Sequence, residues 1–312
     1  MKQQYPLILH IRRFALDDGP GIRSTVFLKG CPLSCAWCHN PESIARGGET
    51  AYFPASCIDC GECRNACPRQ AITDNPLARI DRTRCSGCGR CADICPALAL
   101  KRMGKHIPVD ELLALLLRDR HFYEHSGGGV TFSGGEPTLH FDYLCRTLRR
   151  LKEMGIHTAL QTCGLFDADR FVAELLPHID LIHFDLKLMD PRLHRRYTGR
   201  NNDIIMENFT RLTRAQREKI VPRIPLVPGI TATPANLLGI AAFLRGLGYR
   251  SAELLPYNPA GIDKLSAIGR KARPGLAAAP LTRQEEDSCR YAFSRALESG
   301  PKHSALDLQP SA

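Results

Sequence analysis

The sequence predicts an α/β protein: an open, partial barrel of six β/α units, interrupted near its start by a small cysteine-rich insert. Three observations carry this. Strand and helix patterns alternate from about residue 104 to about 265. Eleven of the fourteen cysteines crowd between Cys31 and Cys95. One short cysteine unit occurs twice, 28 residues apart, which marks a repeated module. The chain thus divides into residues 1–47 (start of the barrel), 48–103 (insert), 104–265 (rest of the barrel) and 266–312 (a C-terminal helix and tail).

In chain order, Leu7 to Phe14 reads as a strand, Asp18-Gly19-Pro20-Gly21 as a turn, and Thr25 to Lys29 as a second strand. Beyond the insert, Val109–Tyr123 is helical by its leucine spacing. Strands are expected at Val130–Phe132, His157–Gln161, Leu181–Leu186, Ile220–Leu226 and Ala252–Leu255. Phe141–Met154 places Leu144, Leu148 and Leu151 on one helix face and stops at Gly155. Asp190-Pro191 and Thr233-Pro234 each pair an N-cap residue with proline at the first helical position. Six β/α units with right-handed crossovers make a partial barrel, short of eight. A last helix is expected near 282–298, with disorder past Gly300.

At 312 residues, 44% hydrophobic and 24% charged, this is the composition of a globular protein. No run of about 18 apolar residues offers a membrane span, and Leu7–Leu9 is too short for a secretory signal. A cytoplasmic protein without membrane attachment is expected. The formal charge is +10, but the basic residues are scattered, densest at Arg192, Arg195, Arg196 and Arg200. A solvated face that docks a protein partner explains this better than nucleic-acid binding does.

Cysteines this dense, without a secretory signal, argue for metal rather than disulfides. Cys31, Cys35 and Cys38 form a Cys-x3-Cys-x2-Cys loop just after the second strand. Iron–sulfur cubanes ordinarily take four thiolates, so three leave one iron open to a non-protein ligand. The alternative, a zinc loop completed by a distant ligand such as His39, fits less well, because structural zinc sites use paired Cys-x2-4-Cys units. The repeat is different. Cys57, Cys60, Cys63, Cys67 and Pro68, then Cys85, Cys88, Cys91, Cys95 and Pro96, follow the two-cluster run in which the fourth cysteine serves the other cluster. One 4Fe–4S cluster is therefore assigned to Cys57, Cys60, Cys63 and Cys95, and another to Cys67, Cys85, Cys88 and Cys91. With no open iron, these should pass electrons or stabilise a docking surface. Cys145 and Cys289 fall on helices as packing residues, while Cys163 ends a strand near the site.

The stretch from Arg13 to Glu42, with Asp18-Gly19-Pro20-Gly21-Ile22-Arg23 and the three-cysteine loop, closely resembles the glycyl-radical-enzyme activating enzymes of the radical S-adenosylmethionine superfamily. The resemblance runs from residue 7 to about 265. It implies an oxidoreductase that reductively cleaves S-adenosylmethionine, giving methionine and a 5′-deoxyadenosyl radical that takes hydrogen from a glycine of a partner glycyl radical enzyme. It implies three 4Fe–4S clusters, S-adenosylmethionine, a monovalent cation, a flavodoxin- or ferredoxin-type electron donor, and a monomeric enzyme working anaerobically. The insert points to the subgroup serving dehydratase-, decarboxylase- or lyase-type partners. Carried residue by residue, the resemblance puts the cofactor near Trp37, Cys38 and His39, Gly135 of Ser133-Gly134-Gly135-Glu136-Pro137, Asp185-Leu186-Lys187, and Arg223. It gives Asp18 and Arg23 a role in ordering the cofactor or the entering glycine loop. Gln161-Thr162 stands where the family often has Asp-Thr, and His183 takes a position that is apolar there. A radical enzyme with a small-molecule substrate would share the same cluster and cofactor. A pure electron carrier would not need the three-cysteine loop.

Overall fold

The computed structural model describes residues 5–298; the tail past Gly300, expected to be disordered, lies outside them. The main sheet has eight strands. β1 (Leu7–Ala15) and β2 (Arg23–Leu28) form an antiparallel hairpin, and β5 (Lys105–His106) pairs antiparallel with β1. The insert contributes its own antiparallel pair, β3 (Glu49–Tyr52) and β4 (Leu100–Met103). From β2 the main sheet continues in parallel through β6 (Gly129–Gly134), β7 (His157–Thr162), β8 (Leu181–Asp185), β9 (Ile220–Leu226) and β10 (Glu253–Pro256). Six parallel strands joined by helices make the partial barrel, left open at its edges.

Period-two alternation gives each strand two faces. Val26, Val130, Phe132, Leu160, Ile182, Phe184 and Ile224 are wholly buried in the outer layer, where the helices pack. The helix Phe141–Glu153 supplies Leu144, Leu148 and Leu151, and Gly155 follows it in the left-handed region at φ 73°. Asp190 and Thr233 cap their helices as the sequence suggests, accepting from Leu193 N and Asn236 N. The helix expected over Val109–Tyr123 is instead Val109–Leu116, one 3-10 turn, then Arg120–Ser126. The 3-10 turn carries Asp119, whose carboxylate is turned inward to Arg13 and Ser24 on the hairpin. The last helix, Arg283–Glu298, buries Phe293 and Leu297 in the main core. Among the described residues no helix is long and apolar enough to cross a membrane.

The hairpin turn is locked. Gly21 has φ 64°, and a Cβ there would lie 2.4 Å from Gly128 N. Arg23 is wholly buried, donating to Thr131 Oγ1 (2.7 Å), Pro20 O (3.0 Å) and Val130 O (2.9 Å).

The insert has a separate small core, Tyr52, Ile72, Ile80, Ala99 and Leu100 packed against cysteines. Its two short helices, Glu62–Asn65 and Arg90–Asp93, each follow a left-handed glycine, Gly61 and Gly89, so the sequence repeat is also structural. Glu49, on the entering strand, ties it to the barrel by pairing with buried Lys29 and with Arg270 at 2.7 Å. Arg82 donates to Thr50 O within the insert (2.6 Å) and reaches out of it to Ala267 O (3.0 Å). Glu49→Ala should therefore cost about 3 kcal/mol in denaturant unfolding, because it leaves the Lys29 ammonium buried and uncompensated; the double variant Lys29→Met, Glu49→Met should lose less.

Candidate active site

The three-cysteine loop begins where β2 ends. Gly30 turns the chain at φ 108°, then Gly30 N and Cys31 N donate to Ser43 O (2.6 Å) and Ile44 O (3.0 Å). Ser34 N and Ala36 N donate to Thr198 O (2.7 Å) and Tyr197 O (2.8 Å). The helix Ala260–Ala267 presses on the far end, where a Cβ on Gly261 would sit 2.2 Å from Cys38 O. Lys264 Nζ holds His39 O at 2.9 Å. The loop is thus fixed on every side by backbone contacts before any cofactor is considered.

Cys31, Cys35 and Cys38 face one cavity of about 310 Å³ at the C-terminal ends of the parallel strands. Trp37, His39, Gly135, Asp185 and Lys187 line it too. Among the described residues no three His, Cys, Asp or Glu side chains are arranged to hold a single metal ion. Three thiols around one end of a roomy, partly charged cavity fit a cubane whose remaining iron faces open space. Burial pushes the thiols of Cys35 to about 11 and Cys38 to about 12, so only a bound cationic centre would keep them as thiolates at neutral pH.

The opposite wall is backbone and charge. A Cβ on Gly135 would lie 2.0 Å from Gly30 O, so the turn after β6 packs directly on the start of the cysteine loop. Next to it, Glu136 is wholly buried, and burial raises its pKa. Its carboxylate accepts from Thr138 Oγ1 (2.8 Å), Thr162 Oγ1 (3.0 Å) and Cys163 N (2.7 Å). Its structural role was missed in the sequence, where only an acid inside a glycine-rich turn hinted at it. Lys187 Nζ lies 2.7 Å from Asp185. Burial works against its charge, but Asp185, Cys35 and Cys163 together hold its pKa above the ordinary lysine value.

At the cavity floor, lined by Ser133 and Gln161, and just beneath it, the inward faces are polar. Ser133 Oγ donates to Gln161 Oε1 (2.5 Å), Gln161 Nε2 to Asp18 Oδ1 (2.8 Å), and Thr25 Oγ1 to Asp18 Oδ2 (2.7 Å). Asp18 therefore reaches the floor only through Gln161. Arg23 stays below, holding the hairpin to β6. Arg223 does not line the cavity; its Nε lies 2.8 Å from Glu253 and its Nη2 donates to Asp17 O at 3.4 Å. Leu186 points the other way, into the helix-packed core. Cys163 lines the cavity beside Cys31, while Cys145 is buried under helix packing. In the insert, Cys57, Cys60, Cys63 and Cys95 line one crevice, and Cys67, Cys85, Cys88 and Cys91 line another.

His183, in the same polar layer, is pushed down to about 4, first by burial and then by Arg223. The unfolded chain takes up a proton near pH 6.5 that the native state refuses, so this residue's contribution to stability is lost as pH falls from about 6.5 towards 4. Thermal unfolding of His183→Phe should accordingly be less pH-dependent than wild type between pH 7 and 5.5, by roughly 1 kcal/mol.

Comparison with known proteins agrees with this geometry. The radical SAM superfamily profile matches residues 78–238, a 4Fe–4S dicluster domain matches 56–99, and a 4Fe–4S single cluster domain matches 17–70. The chain is 38% identical to the isethionate sulfite-lyase activating enzyme of Desulfovibrio desulfuricans, over 98% of this chain and 96% of that one. It is 39% identical to the trans-4-hydroxy-L-proline dehydratase activating enzyme of Clostridioides difficile, over 85% and 89%. A solved radical SAM methyltransferase from Sphaerobacter thermophilus shares the fold, with a TM-score of 0.53 at 15% identity, over 93% of this chain and 75% of that one. Three thiols around an open cavity, a six-stranded parallel partial barrel and near full-length similarity converge on one conclusion: the chain belongs to the glycyl-radical-enzyme activating enzymes of the radical S-adenosylmethionine superfamily.

Proposed function

We propose that Cys31, Cys35 and Cys38 hold the catalytic 4Fe–4S cluster of this activating enzyme, and that the 310 Å³ cavity beside them receives S-adenosylmethionine. The observation that carries this is the convergence of the three thiols, Gly135 and Lys187 on that one cavity. When bound, cluster and cofactor would supply a one-electron reductive cleavage to methionine and a 5′-deoxyadenosyl radical, which would take a hydrogen atom from the partner's glycine to give 5′-deoxyadenosine and the glycyl radical. The chain's residues do the holding. Lys187, kept charged by Asp185, neutralises the cofactor's carboxylate. Gly134 and Gly135 leave backbone groups free to meet its amine. Trp37 and His39 wall the adenine end. Arg223, set back from the cavity and paired with Glu253, serves the layer below rather than the cofactor.

Residues 48–103 are read as an electron-relay module carrying two further clusters, fed by a flavodoxin- or ferredoxin-type donor in the cytoplasm. The pairing of cysteines across two crevices supports it. The enzyme is taken to act as a monomer. Its partner is a glycyl radical enzyme; the relatives serve chemically different ones, so the reaction it switches on follows from the partner.

Anaerobic mixing with a reductant, S-adenosylmethionine and the partner glycyl radical enzyme should give a doublet glycyl signal by electron paramagnetic resonance. Deoxyadenosine formed without any protein radical would overturn the activase reading in favour of a small-molecule substrate. Lys187→Met should raise the half-saturating cofactor concentration about tenfold or more. Cys60→Ala and Cys88→Ala should slow turnover with a protein donor yet retain it with a small low-potential reductant; equal turnover with both would sink the relay.

A further inference from the structure

Among the described residues, the polar layer under the cavity holds an imidazole that makes no hydrogen bond. His183 sits midway along β8, two residues before Asp185 and on the same inward face, and is only 3% exposed. Among the described residues neither ring nitrogen has a hydrogen-bond partner. The nearest ion-pair oxygen, Glu253 Oε2, is 3.7 Å from Nδ1, outside hydrogen-bond reach. The neighbouring polar groups are engaged elsewhere. Asp18 spends its two carboxylate oxygens on Thr25 and Gln161, and Arg223 faces Glu253. A residue there for packing alone would be apolar, since burying an unmet donor and acceptor is costly.

Two further observations say what would meet it. Burial keeps the ring neutral at physiological pH, so it offers one N–H donor and one lone pair, the complement of a peptide unit. The sheet is also open beside this layer. Glu253 starts the edge strand β10 and is 45% exposed, and Arg223 spans from it to the Asp17 carbonyl on the hairpin turn. Glu253 and Arg223 stand between His183 and that edge, so a polypeptide entering there would reach the ring on displacing their bridge.

We propose that His183 is a positioning residue that hydrogen-bonds the main chain of the partner's glycine-bearing segment, accepting a peptide N–H and donating to a peptide carbonyl just below the cofactor cavity. The assignment rests on the activase reading. A glycine segment drawn out of water needs replacement partners for its amides, and a wandering one would let the adenosyl group react unproductively.

The test uses the complete anaerobic enzyme with the glycyl radical enzyme that the wild type activates, comparing His183→Phe with His183→Asn, which keeps a donor and an acceptor. In His183→Phe the cluster signal with and without S-adenosylmethionine should match wild type, showing that the site is assembled. The partner concentration for half-maximal radical formation should rise about tenfold, with more deoxyadenosine formed per glycyl radical. His183→Asn should recover most of both. An unchanged partner requirement in His183→Phe would mean the imidazole is met by water or packing only and would overturn the proposal. So would a cluster signal that no longer responds to the cofactor, which would move His183 into the cofactor's own site. A wild-type enzyme that cleaves the cofactor yet yields no protein radical is a separate result: it defeats the activase reading itself.

Discussion

The structure depends first on how closely the ends of β2 and β6 approach one another. Gly135 N donates to Leu28 O, Glu136 N donates to Gly30 O at 2.7 Å, and no side chain fits at position 135. One residue beyond this junction in one direction is Cys31; one residue beyond it in the other is Glu136. The junction therefore sets the cysteine loop against the cavity, while Glu136 carries the same lock across to Thr162, the last residue of β7, and Cys163 just after it. Three strand ends are fixed by consecutive short contacts. A reaction that needs a radical delivered to one carbon can be served only by groups that do not drift.

Around that junction, burial and charge are arranged in opposed layers. The outward strand faces are aliphatic and aromatic, and supply the stability. The inward faces are polar, an expensive choice that the chain offsets by pairing: Lys187 with Asp185, Arg223 with Glu253, and Arg23 with main-chain carbonyls and Thr131. Each pair is specific to a level of the barrel. The upper level lines the cavity, and the lower one holds the hairpin turn and borders the open edge. His183 lies between the two, which makes its unmet nitrogens conspicuous.

The insert is joined to the same junction rather than hung from the surface. Lys29 immediately precedes Gly30, and its partner Glu49 begins the insert's first strand. Gly48 and Gly87 approach so closely that a Cβ on Gly87 would lie 1.8 Å from Gly48 O. The crevice holding Cys67, Cys85, Cys88 and Cys91 also contains Thr50, the residue after Glu49. The crevice lined by Cys57, Cys60, Cys63 and Cys95 belongs to the module's other half, and each crevice has one exposed cysteine, Cys88 and Cys60.

What the sequence determined by itself was everything set by near neighbours along the chain. Cysteine spacing, the Asp-Pro and Thr-Pro helix starts, the stop at Gly155 and the alternation of strand with helix all act within a turn or a strand's length. They were enough for the fold class, the loop that faces the cavity and the repeat in the insert. Strand parity lay at the limit of that reach: Asp185 and Lys187 point inward and Leu186 outward, a one-residue distinction fixed by which face the helices cover. Only the tertiary structure decided the rest. Whether Arg223 lines the cavity or pairs with Glu253 below it depends on how far along β9 the cavity floor falls. That Glu136 is a buried clamp depends on β7 lying beside β6. Among the described residues His183 is left without a hydrogen-bond partner because Asp18 and Arg223 are satisfied by residues far away in the chain, and competition among distant partners for a few hydrogen bonds leaves no mark in local sequence.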